Sequence, residues 1–397
     1  MVRWLHISDL HIGENADWNN FKSELLQKCR EYDKIDLVIV TGDFHNFSEH
    51  DDFHLAASFL RDLLGSLGLD IEQDLFVVPG NHDGVSDVKA KNIYISAAKY
   101  KPFDDTTQWV QTLLMAFQGY ETFVKELIPH YPEDHPATVH SRVWRNKINF
   151  IHCNTALAAD GEEKINQLLD VNTLSKISCE TDMPNIILAH NHFSDLHEKH
   201  QLRVKDAIRA KSICAYFCGD RHTQGVDKIP LDKREAPCIV SYKGAPDPKD
   251  SHSAFGVIFG EWEDEWAELK GWRWESGQGF NKDQKITGKR FLMRAESVPP
   301  PAVPLCEPAI EEPPQKIDTG KESADAQIKE YVLKKCFVPD YYKLTSRQLA
   351  QFNRKHEDIR LSAGMNAVEL NEYVETAQER GVLEELVQDM DLILTGE

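Results

Sequence analysis

The sequence predicts an α/β protein, with a layered α/β domain over residues 1–280 and a small all-α domain over 326–397. Two observations carry the first part: short β-branched apolar runs alternate with helical patterns, and the runs recur in the order expected of a layered sheet protein. A third carries the second part. Residues 296–325, "ESVPPPAVPLCEPAIEEPPQKIDTGKESAD", combine prolines and acids with few large apolar residues, the composition of a semi-extended linker. At 397 residues the chain is long enough for two or three domains.

In chain order, the strand candidates are "RWLHI", "DLVIV", "LFVVP", "INFIHC", "NIILA", "CAYFC", "CIVSY" and "AFGVIFG". Apolar residues recurring every three and four positions predict helices at 19–31, 51–65 and 107–128. The stretch 85–145 is long for a connection and is expected to be an inserted cap with its own helices. In "WEDEWAELKGWRWE" Trp262, Trp266, Trp272 and Trp274 alternate in a predicted hairpin, where they are expected to cover the second sheet of a β-sandwich. After the linker, "QIKEYVLKKCF", "TSRQLAQFNRKH" and "NAVELNEYVETAQERGVLEELVQDMDLI" return to helical periodicity.

No apolar run approaches the roughly 18 residues a membrane span needs, so no membrane association is expected. "MVRWLHISDLHIG" meets histidine and aspartate too early for a secretory signal. The eight cysteines lack CxxC spacing, and a chain of this length needs no disulfides; a cytoplasmic location is expected. A net charge of −20 argues against a broad, sequence-blind grip on nucleic acid. It leaves room for a local basic patch or for a nucleotide bound through metals.

The chemistry lies where the strands stop. "RWLHI" runs into Ser8-Asp9-Leu10-His11, "DLVIV" into Thr41-Gly42-Asp43, and "LFVVP" into Gly80-Asn81-His82-Asp83. "NIILA" runs into His190-Asn191-His192, and "CAYFC" into Gly219-Asp220-Arg221-His222. In α/β sheets the ligand crevice lies beyond the carboxyl ends of the strands. Each ending alone has an ordinary reading: Gly-Asp is usually a turn, a lone histidine a hydrogen-bonded core or surface residue, and "GNHD" a turn and helix cap. Five endings rich in Asp, His and Asn together read as a metal centre. The donors are oxygen and imidazole without thiolate, which suits Mn, Mg, Fe or Zn and disfavours a structural zinc site. Seven donors exceed one tetrahedral ion and suit two cations sharing a carboxylate.

These blocks, in this order, resemble the calcineurin-like metallophosphoesterases, whose pattern reads D-x-H, G-D, G-N-H-[DE], H and G-H-x-H. "LHISDLHIG" is particularly similar to the opening of the nuclease branch and of the class III phosphodiesterases. The resemblance spans residues 1 to about 260 and implies a four-layer α-β-β-α sandwich with a helical insertion. It implies that Asp9, His11 and His222 hold one divalent cation, that Asp43 bridges, and that Asn81 and His190 hold the second. His82 matches a histidine close to the scissile phosphate, implied to stabilise the transition state or to protonate the leaving group.

Asp220 departs from the pattern, which has histidine there. Either it is a ligand, making the second site harder and favouring Mn or Mg, or it turns away and leaves that site weak. Arg221 is a candidate phosphate clamp or a surface residue, His45 and Asp83 are candidate substrate-facing or supporting residues, and His192 is an alternative ligand to His190. His130, His135, His140, His197 and His200 are expected to be solvated loop residues. The tail, with "ERGVLEELV", resembles effector-associated domains, the death-like helical adaptors of bacterial conflict systems. That resemblance implies recruitment to a partner protein bearing a matching adaptor.

The expected function is therefore metal-dependent hydrolysis of a phosphodiester in nucleic acid or a nucleotide, with Mn the expected metal. A non-catalytic phosphate-binding module with a degenerate second metal site, or a protein phosphatase, is the alternative.

Overall fold

The computed structural model of the chain describes residues 1–12, 16–32, 34–45, 53–84, 110, 113–158, 167–179, 182–232, 234–244, 254–294, 352–353, 355–356 and 386. The chain divides into two compact units, Met1–Ala302 and Val303–Glu397. Almost all that is described belongs to the first. The linker and all of the tail but 352–353, 355–356 and 386 lie outside the described residues, as do 85–109 and 111–112 of the expected cap.

Two sheets form the centre of the first unit. The larger is ordered β12-β11-β10-β1-β2-β3, with β13 paired to β11. Its strands are β1 (Val2–Ile7), β2 (Leu37–Thr41), β3 (Leu75–Val78), β10 (Phe255–Glu263), β11 (Trp266–Glu275), β12 (Gly279–Asp283) and β13 (Arg290–Leu292). The smaller is ordered β4-β5-β6-β7-β9-β8. It contains β4 (His140–Trp144), β5 (Ile148–His152), β6 (Asn185–Leu188), β7 (Ile213–Cys218), β8 (Gly225–Pro230) and β9 (Glu235–Val240). The strands β1, β2 and β3 run parallel, as do β5, β6, β7 and β9.

Period-two alternation sends each central strand's side chains into two cores. Trp4, Leu37, Ile39, Phe76 and Val78 face Phe150, Ile186, Leu188, Phe217 and Ile239 between the sheets. Leu5, Ile7, Val38, Val40, Leu75 and Val77 face outward onto helices α1 (Ala16–Arg30), α2 (Phe53–Leu67) and α4 (Gln118–Leu127). A short helix, α3 (Ile71–Asp74), is capped by Asp70, whose side chain accepts from Glu72 N–H. On the other side Ile151, Ile187, Tyr216 and Val240 face α5 (Val171–Lys176) and α6 (Glu198–Ala210). The layers are thus helix, sheet, sheet, helix, as the resemblance implied. Strands apolar on both faces read as unbroken apolar runs, which is why "DLVIV" and "CAYFC" were legible.

Three expectations are corrected. Within 85–145 the described part holds α4 but ends in a strand, β4, which pairs antiparallel with β5. Of the four tryptophans only Trp262 packs on the core between the sheets, while Trp266 is exposed. Trp272 and Trp274 turn the other way, onto α1, where Trp274 Nε1 donates to Glu24 (2.8 Å) and Lys28 Nζ lies 3.4 Å from the Trp272 ring centroid. His140 and His200 are buried rather than solvated. His140 Nδ1 donates to the Thr138 carbonyl, so its Nε2 accepts from Tyr131 Oη at 2.7 Å, and His200 Nδ1 accepts from Leu169 N–H at 3.1 Å. No helix among the described residues is long and apolar enough to cross a membrane.

Phe217 sits wholly buried between the sheets, against Trp4, His6 and Phe291. Phe217→Ala is expected to destabilise the fold by about 3–5 kcal/mol. Denaturant unfolding should show a lower midpoint at unchanged slope.

Candidate metal centre

The parallel strands of both sheets end at one edge, and the chain curls sharply as it leaves them. Asp9, His11, Asp43, Asp220 and His222 all have φ between 40° and 63°. For non-glycine residues this left-handed conformation costs roughly 1–3 kcal/mol each. It is held by backbone bonds across the loops: Asp9 N–H donates to Gly42 O (3.0 Å), His11 N–H to Asp43 O (2.9 Å) and Ile12 N–H to Phe44 O (3.1 Å). The turns swing each side chain back over the strand end, into one cluster.

Two glycines make the close approach possible. A Cβ on Gly219 would lie 1.8 Å from Ser8 Oγ and 2.4 Å from Asp9 Oδ2, so the loop after β7 rests directly on the loop after β1. A Cβ on Gly80 would lie 2.1 Å from Asp43 Oδ1. The glycine in each motif is therefore required by contact between loops.

Asp83 braces this arrangement. Its buried carboxylate accepts from Asp43 N–H (2.9 Å), Phe44 N–H (2.8 Å) and Gly80 N–H (2.8 Å), tying the loop after β3 to the loop after β2. Asp43 Oδ1 in turn accepts from His82 N–H at 2.9 Å.

Around this frame three overlapping groups form, each with ligand atoms within 4.8 Å of one another: Asp9, His11 and His222; His11, Asp43 and His82; and Asp9, Asp43 and His190. His222 Nε2 is 3.3 Å from Asp9 Oδ1, and His11 Nε2 is 3.5 Å from Asp43 Oδ2. His190 Nε2 is 3.3 Å from Asp43 Oδ2 and 2.9 Å from Asn81 Oδ1. The other nitrogen, Nδ1, is 2.7 Å from the Thr41 carbonyl, which only accepts; Nδ1 therefore carries the hydrogen, and Nε2 is the face offered to the centre.

The electrostatics reflect burial and crowding. Burial alone would depress the His190 pKa, but Asp43, with Asp9 and Asp220, raises it well above the usual imidazole value. Burial would raise Asp43, but His190, His82 and His11 hold its carboxyl far below the ordinary range. Asp9 is likewise held down, to about 2, by His222 and His190 against the effect of burial. Burial lowers His11 to about 4, and it also lowers His82. Carboxylates and imidazoles grouped in this way, with residues shared between the groups, suit the binding of divalent metal.

The structure brings Asp9, His11, Asp43, Asn81, His82, His190, Asp220 and His222 together. Asp220 is buried with its carboxylate turned inward, Oδ1 lying 3.7 Å from His190 Nε2, and its own N–H donates to Asp9 Oδ2 at 3.1 Å. Of the supporting candidates, Asp83 belongs to the frame of the cluster, whereas Arg221 and His192 are engaged elsewhere. Arg221 gives its fork to Asp195, Nη2 to Oδ1 at 2.7 Å and Nε to Oδ2 at 3.1 Å. His192 caps the turn after it, accepting from Ser194 N–H, with Nε2 3.1 Å from Asp227 Oδ2. His45 is buried with its ring 4.3 Å from the Phe53 ring.

Sequence reasoning missed three residues at this edge. Asn191 Nδ2 donates to Asp220 Oδ2 at 3.1 Å, and Thr155 Oγ donates to Asn191 Oδ1 at 2.9 Å. Lys243 is a buried cation where β9 ends, and its charge helps hold His11 down. Each comes after a run already read as a strand, so the strand-end rule would have reached all three.

Comparison with known proteins is consistent with this geometry. The model of the calcineurin-like phosphoesterase family matches residues 2–224. No curated protein sequence gave a match. Among solved structures, a single mutant of Vps29 from Entamoeba histolytica is similar at 11% identity and a TM-score of 0.32, covering 71% of this chain and 97% of that one. A conserved predicted phosphoesterase from Streptococcus pneumoniae is similar at 9% identity and 0.30, covering 71% and 97%. PhoD is similar at 12% identity and 0.45, covering 75% and 70%. On the family match and the strand-end motifs it contains, the chain belongs to the calcineurin-like phosphoesterase family.

Proposed function

We propose that this chain is a divalent-metal-dependent phosphodiesterase acting on nucleic acid or a nucleotide. The observation that carries the reading is the convergence of Asp9, Asp43 and Asp220 with His11, His190 and His222, supplied by strand ends of both sheets. Asp9, His11 and His222 would hold one cation, Asn81, His190 and Asp220 the other, with Asp43 between them. When bound, such a pair of cations neutralises charge on the phosphoryl oxygens and lowers the pKa of a coordinated water. The oxygen-rich set favours Mn, with Mg, Fe and Zn as alternatives.

His82 stands at the rim, partly exposed, with Nε2 3.9 Å from Asp43 Oδ2. Burial lowers its pKa, so at neutral pH the ring is neutral and acts by donating a hydrogen bond toward developing charge. Of the two roles implied for this histidine, transition-state stabilisation is the better supported.

The diester preference rests on the likeness of "LHISDLHIG" to the nuclease and class III phosphodiesterase branches, and the net charge of −20 favours a small or single-stranded substrate. Segment 326–397 would recruit the enzyme to an adaptor-bearing partner in a defence or signalling assembly in the cytoplasm, the proline linker letting one module dock while the other works.

The Mn-loaded protein should turn over at least one of bis-p-nitrophenyl phosphate, single-stranded DNA, RNA or a cyclic nucleotide. Chelation and Asp43→Asn should abolish that turnover, and His82→Ala should lower it by about 10²–10³-fold. No turnover on any substrate, or turnover equal in Asp43→Asn, sinks the reading.

Because His190 carries a proton that a cation must displace, Mn affinity is expected to rise with pH around neutrality, by up to about tenfold per unit while the free ring stays protonated. Titration calorimetry in buffers of different ionisation enthalpy should detect the released proton. Deleting 326–397 should leave diester hydrolysis intact and abolish capture of an adaptor-bearing partner in a pull-down. Lost hydrolysis would instead place the tail within the catalytic fold.

A further inference from the structure

We propose that Asn191, locked by Thr155, is the positioning residue that makes an aspartate serviceable as a metal ligand at position 220. This rests on the reading of the strand-end cluster as a two-cation centre, though not on any hydrolytic activity.

A carboxylate on a short side chain can rotate, and its two oxygens are equivalent until something distinguishes them. Asn191 Nδ2 donates to Asp220 Oδ2 at 3.1 Å, which leaves Oδ1 on the side of His190 Nε2, 3.7 Å away. That nitrogen is also the one facing Asp43 Oδ2 and Asn81 Oδ1. Oδ1 therefore points at the place where four donors meet.

The direction of the Asn191 amide is decided by counting donors. Thr155 Oγ accepts from Asn191 N–H at 2.9 Å, and its single hydroxyl hydrogen goes to Asn191 Oδ1, also at 2.9 Å. The amide oxygen is thereby committed to Thr155, and the NH₂ group must face Asp220, whose ionised carboxylate only accepts. A flipped amide would set oxygen against carboxylate, a repulsion that a bond from the NH₂ group to Thr155 Oγ would not offset. Tyr216 Oη donates to the Asn191 carbonyl at 2.8 Å, fixing the backbone as well. Thr155, Asn191 and Tyr216 are all at most 1% exposed, so water does not compete.

The relay matches the architecture. Thr155 lies after β5, Asn191 after β6 and Asp220 after β7, three adjacent parallel strands spaced about 4.8 Å apart. Short side chains suffice to pass orientation from one strand end to the next. The result is a fixed anionic oxygen where the family pattern offers imidazole, and a second site suited to hard cations.

The test is Mn binding to the metal-stripped full-length chain, by titration calorimetry and by metal content after dialysis. Wild type should bind two equivalents. Asn191→Ala should weaken one of the two by about 10–100-fold, the range for removing an outer partner of a ligand. Thr155→Val, nearly isosteric, should weaken the same site by a smaller factor, and Thr155→Ser should restore it. If Asn191 acts through Asp220, then Asn191→Ala should change Mn affinity no further in an Asp220→Ala background. An equal loss in both backgrounds, no loss in either, or fewer than two equivalents bound by wild type overturns the proposal. Should Asn191→Ala fail to fold, the Thr155→Val and Thr155→Ser pair decides by the same comparison in the Asp220→Ala background. A chain that binds two Mn but hydrolyses nothing would overturn the phosphodiesterase reading and leave this one standing.

Discussion

Two carboxylates buried side by side, Asp9 and Asp43, are the constraint to which the rest of the strand-end edge responds. They stand at the ends of adjacent strands with ligand atoms within 4.8 Å of each other and are essentially inaccessible to water. Like charges at that separation repel by about 3–4 kcal/mol at an effective dielectric constant near 20. Donors placed around them offset the repulsion. Asp9 Oδ2 accepts from Asp220 N–H, Asp43 Oδ1 accepts from His82 N–H, and His190 carries its proton toward Asp43. The left-handed residues and the bare glycines at 80 and 219 are what allow those donors to come so close.

The same edge also fixes how the sheets sit on each other. The core between them is apolar, and apolar contact is non-directional, so it tolerates sliding of one sheet over the other. Directional ties occur where both sets of strands stop, and also at the start of β3, where Arg142 donates to Leu75 O and Trp144 Nε1 to Asp74. His190 Nδ1 donates to Thr41 O, Gly244 N–H to Ser8 O at 2.7 Å, and Asp220 N–H to Asp9, each joining the smaller sheet to the larger. Candidate metal ligands and part of the contact between the sheets thus share the same bonds.

Burial on both faces is also why so much of the centre could be read from the chain alone. Central strands of this kind announce themselves as apolar runs, and the site occupies the residues just beyond them, so Asp9, His11, Asp43, Asn81, His82, His190, Asp220 and His222 were within reach of the sequence. Edge strands were harder. In β8 only Ile229 is fully buried, and β4 alternates buried and exposed positions within a stretch too polar to stand out. Single histidines carry no burial signal of their own: His140 is covered because Tyr131 and the His152 ring, 4.5 Å away, happen to meet it. The face chosen by Trp272 and Trp274 depends on where α1 lies, which no local pattern states. Asn191 and Thr155 lie where the strand-end rule points, but their roles exist only between neighbouring strands that are distant in sequence.

The proton on His190 bears on whether this fold needs its metal. A structural metal site leaves its ligands repelling one another when empty, so the apo chain unfolds. Here His190 turns Nε2 toward Asp43, Asn81 and Asp220, and the neighbouring carboxylates raise its pKa well above the usual imidazole value. That contact sits within a frame that backbone bonds, Asp83 and the Thr155–Asn191 pair already hold. The strand-end edge is thus held by bonds within the chain itself, and any cation it takes up would meet a frame already in place.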